Sequence, residues 1–130
     1  MAVTKRIAVL GGGSFGTAIA NMIAANGHDV VLWMRDEENA KQCYRTRENS
    51  QYLPGYQLEP SLQFSSNLEE CLEDREAVFF SVPSKAFRKL AQQASAHIAP
   101  GTKVISTAKG IEAYTFKLMS EILEDELPQA

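Results

Sequence analysis

Six residues near the N-terminus, Gly11-Gly12-Gly13-Ser14-Phe15-Gly16, have the types and spacing of a loop that cradles phosphate. Gly11 permits a sharp strand-to-helix turn, Gly13 has no Cβ to hold a pyrophosphate away from the backbone, and Gly16 lets a helix pack closely on a strand. A helix opening at this loop aims unpaired N–H groups and the positive end of its dipole at an anion, so the site needs no basic side chain. Glycines also gather in ordinary turns, which leaves a purely structural reading of the loop open.

Two cations stand where a dinucleotide site would use them. Arg35 lies about twenty residues beyond the glycines, where this arrangement meets the ribose of an adenosine. An acidic residue there favours the free 2′-hydroxyl of NAD, whereas a guanidinium pairs with a 2′-phosphate and stacks on adenine, which favours NADP and NADPH. Asp36 beside it keeps NAD open, its alternative role being the N-cap of the next helix. Lys109 sits in Ala108-Lys109-Gly110-Ile111-Glu112, a loop at a strand's carboxyl end, and would project into the same crevice. For both cations the alternative is a solvated loop charge.

Periodicity supplies the elements that must position these residues. Ile7 to Leu10 has the length of a buried parallel strand, and Phe15, Ala18, Ile19, Met22 and Ile23 recur at helical spacing, predicting a core-facing stripe. Asn26-Gly27 stops that helix and residues 29–34 resume as a strand. Residues 36–48 read as an exposed helix, acidic first and basic later. Pro54-Gly55 then breaks the pattern, with Tyr52 and Leu53 expected to cover core. A short strand at 62–64, a helix capped by Asn67 and ending near Leu72, and a buried strand at 76–82 follow. Ser84 is expected to cap the next helix, residues 85–97, which turns Phe87, Leu90, Ala91 and Ala94 inward and Lys85, Arg88 and Lys89 outward. After a strand at 103–107, a helix over 114–127 presents Leu118, Met119, Ile122 and Leu123. This alternation predicts an α/β fold, a doubly wound, mostly parallel sheet with helices on both faces, in a single domain.

Composition narrows the function. A chain of 130 residues buries roughly two-thirds of its unfolded surface and suits one domain. A net charge of −3 leaves no basic footprint for nucleic acid. The four-residue apolar run after Lys5-Arg6 is too short for a secretion signal, and nothing approaches a membrane span. Cys43 and Cys71 form neither a CxxC pair nor a cluster, so reduced thiols in the cytoplasm are expected. His28 and His97 have no ligand-spaced partners, and no metal is expected.

The chain resembles the NAD(P)-dependent glycerol-3-phosphate dehydrogenases, especially the bacterial biosynthetic type. The resemblance rests on Gly11 to Ala18, on Asn49 to Gly55 with its Tyr-Leu-Pro-Gly, on Val82-Pro83-Ser84 and on Ala108 to Glu112, four blocks in the family's order. It implies a Rossmann-like NAD(P)-binding domain over 1–130, in a protein that moves a hydride between NAD(P)H and dihydroxyacetone phosphate to give sn-glycerol 3-phosphate for phospholipid synthesis. By position, the backbone at Ser14 and Phe15 would bind pyrophosphate, Arg35 the adenosine end, and Lys109 both the nicotinamide side and the substrate. The family's catalytic general acid and base, a second lysine, belongs to a helical C-terminal substrate domain beyond this chain. Little or no turnover by the chain alone is therefore expected, with homodimerisation a property of the parent enzyme. Readings that remain open are a related reductase of this fold, such as a ketopantoate reductase or a hydroxyacid dehydrogenase, and a nucleotide-sensing module without catalysis.

Overall fold

The computed structural model describes residues 4–107 and 118–129. The chain runs β1 (Arg6–Leu10), α1 (Ser14–Ala25), β2 (Asp29–Trp33), α2 (Glu37–Thr46), β3 (Gln63–Ser65), α3 (Leu68–Leu72), β4 (Ala77–Phe80), α4 (Ser84–Ser95), β5 (Lys103–Ser106) and α5 (Met119–Glu126). The strands form one sheet in the order β3-β2-β1-β4-β5, and every pairing in it is parallel. The chain winds outward from β1 in one direction to β3, then returns to lay β4 on the other side of β1. That reversal leaves a crevice at the carboxyl ends of β1 and β4, the place where open parallel sheets bind ligands.

The pleat of the central strands sorts the core into two layers. Ile7, Val9, Val30 and Leu32 face α1 and α2, whose Ala20, Ala24, Ala40 and Cys43 join them. Ala8, Leu10, Val31, Val78 and Phe80 face the opposite layer, built from α3, α4 and α5. Both faces of the sheet are covered, which is why its inner strands are continuous apolar runs rather than alternating ones. On the second face Phe80 and Phe87 are fully buried, with ring centroids 5.5 Å apart in a tilted arrangement.

Several sequence expectations are corrected here. Helix α1 buries Gly16, Thr17, Ala20 and Ala24, whereas Phe15 and Met22 are more than half exposed and Ala18 is exposed as well. Small residues let the helix lie close to the sheet; of the predicted stripe, Ile19 and Ile23 are half-buried against the core, while Phe15, Ala18 and Met22 turn outward. Helix α2 is not wholly exposed, since Asn39, Ala40 and Cys43 are buried. Ser84 does not cap α4: the N-cap is Pro83, and no side chain caps this helix. Arg88 is half-buried between Glu126 at 2.6 Å and Asp125 at 3.2 Å, fastening α4 to α5. Leu118 is the exposed N-cap of α5, not part of its buried face. The part of the predicted final helix before Leu118 falls outside the described residues. Asp36 and Asn67 do cap α2 and α3, as their types predict.

Truncating Phe87 removes the aromatic that locks α4 to the sheet. Phe87→Ala is expected to cost about 3–5 kcal/mol in denaturant unfolding. Cys43 and Cys71 are free and fully buried, and burial pushes both thiols up from an ordinary 9.0 to about 11. The unfolded chain releases these protons first, so the stability they contribute is whole below about pH 9 and declines toward pH 11. At pH 8 neither thiol is expected to react with an aromatic disulfide reagent until the chain unfolds, when two equivalents should appear.

Candidate nucleotide-binding cleft

At the end of β1 three pieces of backbone meet. The Gly11 N–H donates to the Trp33 carbonyl at 3.0 Å, and the Ser81 N–H donates to the Leu10 carbonyl at 2.8 Å. Gly11 has φ +127°, and a Cβ on it would overlap the Ser81 carbonyl oxygen. A Cβ on Gly16 would likewise run into the Gly11 carbonyl oxygen. Both glycines thus do what their spacing predicts, one turning the chain and the other letting α1 approach. Around Gly13, by contrast, no atom lies within 4 Å of where a Cβ would be, so its backbone faces open space. Gly13 is the N-cap of α1 without a side-chain cap, and the first turn bond runs from the Thr17 N–H to its carbonyl at 3.0 Å. The amides of Ser14, Phe15 and Gly16 precede that bond and are available to an anion.

Two hollows flank this turn. One of about 260 Å³ lies between Gly13, Ser14, Phe15, Ser81, Pro83 and Thr107. The other, about 450 Å³, is bordered by Gly11, Gly13, Arg35, Asp36, Tyr52 and Lys85. They share Gly13, Ser81, Val82 and Pro83, and form a trough across the carboxyl ends of the inner strands. Arg35 is exposed at its rim. Asp36, which borders the larger hollow, also caps α2, one carboxylate oxygen accepting from the Glu38 N–H at 2.9 Å and the Asn39 N–H at 3.5 Å. At the far end the Ser81 and Thr107 hydroxyls are 2.5 Å apart. Lys109 lies outside the described residues.

Charge patterning marks the same trough. Helices α2, α3 and α5 carry Glu in their first turns, as helix dipoles favour, whereas α1 and α4, which open on the cleft, carry none.

A clamp absent from the sequence reading holds the glycine turn. Asn49 is fully buried, and its side-chain amide donates to the Gly12 carbonyl and to Thr17 Oγ1, both at 2.9 Å. Its Oδ1 accepts from the Tyr52 N–H at 3.3 Å, and its carbonyl accepts from the Leu53 N–H at 2.7 Å. Tyr52 is therefore a half-exposed wall of the cleft rather than a cover for the core. A buried asparagine 37 positions from its partner carries no periodic signal; only its place in a turn-forming stretch that ends at Pro54-Gly55 hints at it.

The sheet order, the glycine turn and the trough define a dinucleotide-binding domain of the Rossmann class. Within that class the chain belongs to a particular family: residues 6–130 match the model of the NAD-dependent glycerol-3-phosphate dehydrogenase N-terminus. It is 54% identical over 127 residues to a glycerol-3-phosphate dehydrogenase (NAD(P)+) of Teredinibacter turnerae, covering 98% of this chain and 37% of the relative. A namesake from Saccharophagus degradans is 52% identical over 121 residues, covering 93% and 34%. The crystal structure of the Coxiella burnetii glycerol-3-phosphate dehydrogenase superposes with a TM-score of 0.90 at 30% identity, covering 97% of this chain and 38% of that one. A ketopantoate reductase from Ralstonia eutropha shares the fold, with a TM-score of 0.75 at 22% identity. The chain spans little more than a third of the length of the curated relatives it matches.

Asn49→Ala leaves the Gly12 carbonyl and the Thr17 hydroxyl short of a buried donor. It is expected to cost about 1–3 kcal/mol in unfolding and to weaken NADPH binding several-fold by titration. Asn49→Asp, which cannot donate and adds an anion beside the α1 amides, should lose more affinity than Asn49→Ala.

Proposed function

We propose that this chain is the cofactor-binding domain, residues 1–130, of an oxidoreductase that passes a hydride between NAD(P)H and dihydroxyacetone phosphate, giving sn-glycerol 3-phosphate. The observation that carries the reading is the open backbone at Gly13, where a Cβ would meet nothing within 4 Å, beside uncapped amides at the start of α1. A pyrophosphate fits that space, and the Ser14 and Phe15 amides would hold it. When bound, the nicotinamide supplies the hydride chemistry. The protein's part is placement: Gly11 and Gly16 fix the turn, Asn49 fastens it, and the trough directs the two ends of the cofactor to opposite sides of β1.

Arg35 is our candidate for the 2′-phosphate of NADPH. One oxygen of Asp36, the residue that would otherwise hold a ribose diol, is committed to the α2 amides, and the exposed guanidinium of Arg35 beside it favours NADPH over NADH. Lys109 is proposed to reach the nicotinamide side and the substrate, where its charge would favour negative charge developing on the substrate oxygen. The substrate pocket and the proton-transferring lysine are assigned to a helical domain within the remaining length of the relatives, and the parent enzyme to a homodimer. Glycerophospholipid synthesis in the cytoplasm is the proposed setting. No helix among the described residues is long and apolar enough to cross a membrane.

Calorimetric titration of the chain with NADPH and NADH tests the assignment. Saturable binding that prefers NADPH is expected, with Arg35→Ala lowering NADPH affinity about tenfold, the size of one lost charge-assisted contact of about 1.4 kcal/mol, and NADH affinity by less than twofold. A folded chain that binds neither nucleotide would remove the cofactor reading.

A further inference from the structure

Beside the trough lies a hollow of about 460 Å³ lined by Arg35, Lys85 and Lys89 over an apolar floor that includes Trp33 and Leu90, with no carboxylate among the described residues of its wall. It opens into the main cleft, because Trp33, Arg35, Val82, Lys85 and Ala86 line both. All three cations are exposed. Among the described residues none has a carboxylate partner, although the neighbouring Arg88 has two, Asp125 and Glu126. Helix α4 thus gives one cation to its own scaffold and keeps two aimed at the hollow.

That arrangement carries a standing electrostatic cost. Lys85 and Lys89 are four apart on one helix, a spacing at which like charges repel. Lys85 also stands in the first turn of α4, at the positive end of the dipole, in a helix with no acidic residue there. A dianion between α4 and the end of β2 relieves both penalties at once, and Arg35 reaches it from the other wall. The floor adds a second requirement. Trp33 is held by a hydrogen bond from its indole Nε1 to the Ser66 carbonyl at 3.1 Å, so a fixed aromatic surface adjoins the cations, suited to a purine.

We infer that Lys85 and Lys89 complete, with Arg35, a tricationic pocket for a phosphate on the adenosine ribose, and that this pocket sets the choice of NADPH over NADH. The inference rests on the proposed cofactor reading and assigns specificity to two residues of α4 that the sequence reading left as outward-facing solvent charges.

The probes are 2′-phosphoadenosine 5′-phosphate and adenosine 5′-phosphate, titrated into the chain and into Lys85→Gln, Lys89→Gln and the double variant, with circular dichroism confirming the fold. The expected result is a three- to tenfold loss for the 2′-phosphorylated probe in each single variant, more than tenfold in the double, and less than a twofold change for adenosine 5′-phosphate. An unchanged affinity in the double variant, with Arg35→Ala alone losing the 2′-phosphorylated probe, would overturn the inference while leaving the cofactor reading intact. Equal losses for both probes would overturn it too, by placing the lysines on the shared part of the ligand. If the unaltered chain bound neither these probes nor NADPH and NADH, the cofactor reading itself would fail.

Discussion

The closest constraint in this domain is backbone against backbone at the end of β1. The Gly11 carbonyl occupies the space a Gly16 Cβ would need, and the Ser81 carbonyl occupies the space of a Gly11 Cβ. With those two side chains absent, α1 can start immediately over the sheet, and β4 can run beside β1 to the same level. Everything at the site follows from this approach. The helix amides are brought over the crevice, Gly13 is left facing open space, and the ends of β2 and β4 become the two walls of one trough. A methyl group at either glycine would have to move main chain, not a compliant side chain, and a close-packed interior gives little room for that.

The same closeness explains why the sequence was readable in some places and not in others. The order of elements, the parallel sheet, the glycine turn and the caps at Asp36 and Asn67 are written in local patterns, because each depends on residues within a turn or two. The face of α1 is only partly legible because two stripes compete on that helix. Hydrophobicity favours Phe15, Ile19, Met22 and Ile23, but the distance set by Gly16 gives full burial to Thr17, Ala20 and Ala24, leaves Ile19 and Ile23 half-buried at the margin of the core and turns Phe15 and Met22 outward. Hydrophobicity measures what gains from burial, whereas here the available gap decides which residues fit.

The roles of Asn49 and Tyr52 are hidden from the sequence for a different reason. Their roles come from a chain segment that leaves α2 and returns to the glycine turn, and no periodicity records a long-range hydrogen bond. Arg47 anchors that segment, its guanidinium donating to the carbonyls of Leu62 at 2.6 Å and Glu59 at 3.3 Å and lying over the rings of Tyr44 and Phe64. An asparagine in a turn reads locally as an Asx turn, and this one does accept from the Tyr52 amide. Its other bonds cross to the site, so a single residue closes the loop and fixes the phosphate-binding backbone.

The two ends of the sheet divide the work between order and binding. The carboxyl end leaves the first α1 amides and, among the described residues, the cations Arg35, Lys85 and Lys89 to a ligand, and its backbone is held by Asn49. At the opposite end Asp29 gathers Arg6 at 3.3 Å, Arg75 at 3.6 Å and Gln63 at 3.4 Å, while the Glu76 carboxylate accepts the Arg6 amide at 2.9 Å. These contacts join the starts of β1, β2, β3 and β4. Arg75 is nearly buried there, and burial pushes its pKa down against the pull of Asp29. Desolvating a guanidinium offsets much of what the pair gains, so the network is better understood as fixing strand register than as adding stability. Register set at the base is carried along each strand to the crevice. A one-residue slip of any strand would exchange its two faces, moving Gly11 or Ser81 away from the position that gives the turn its shape.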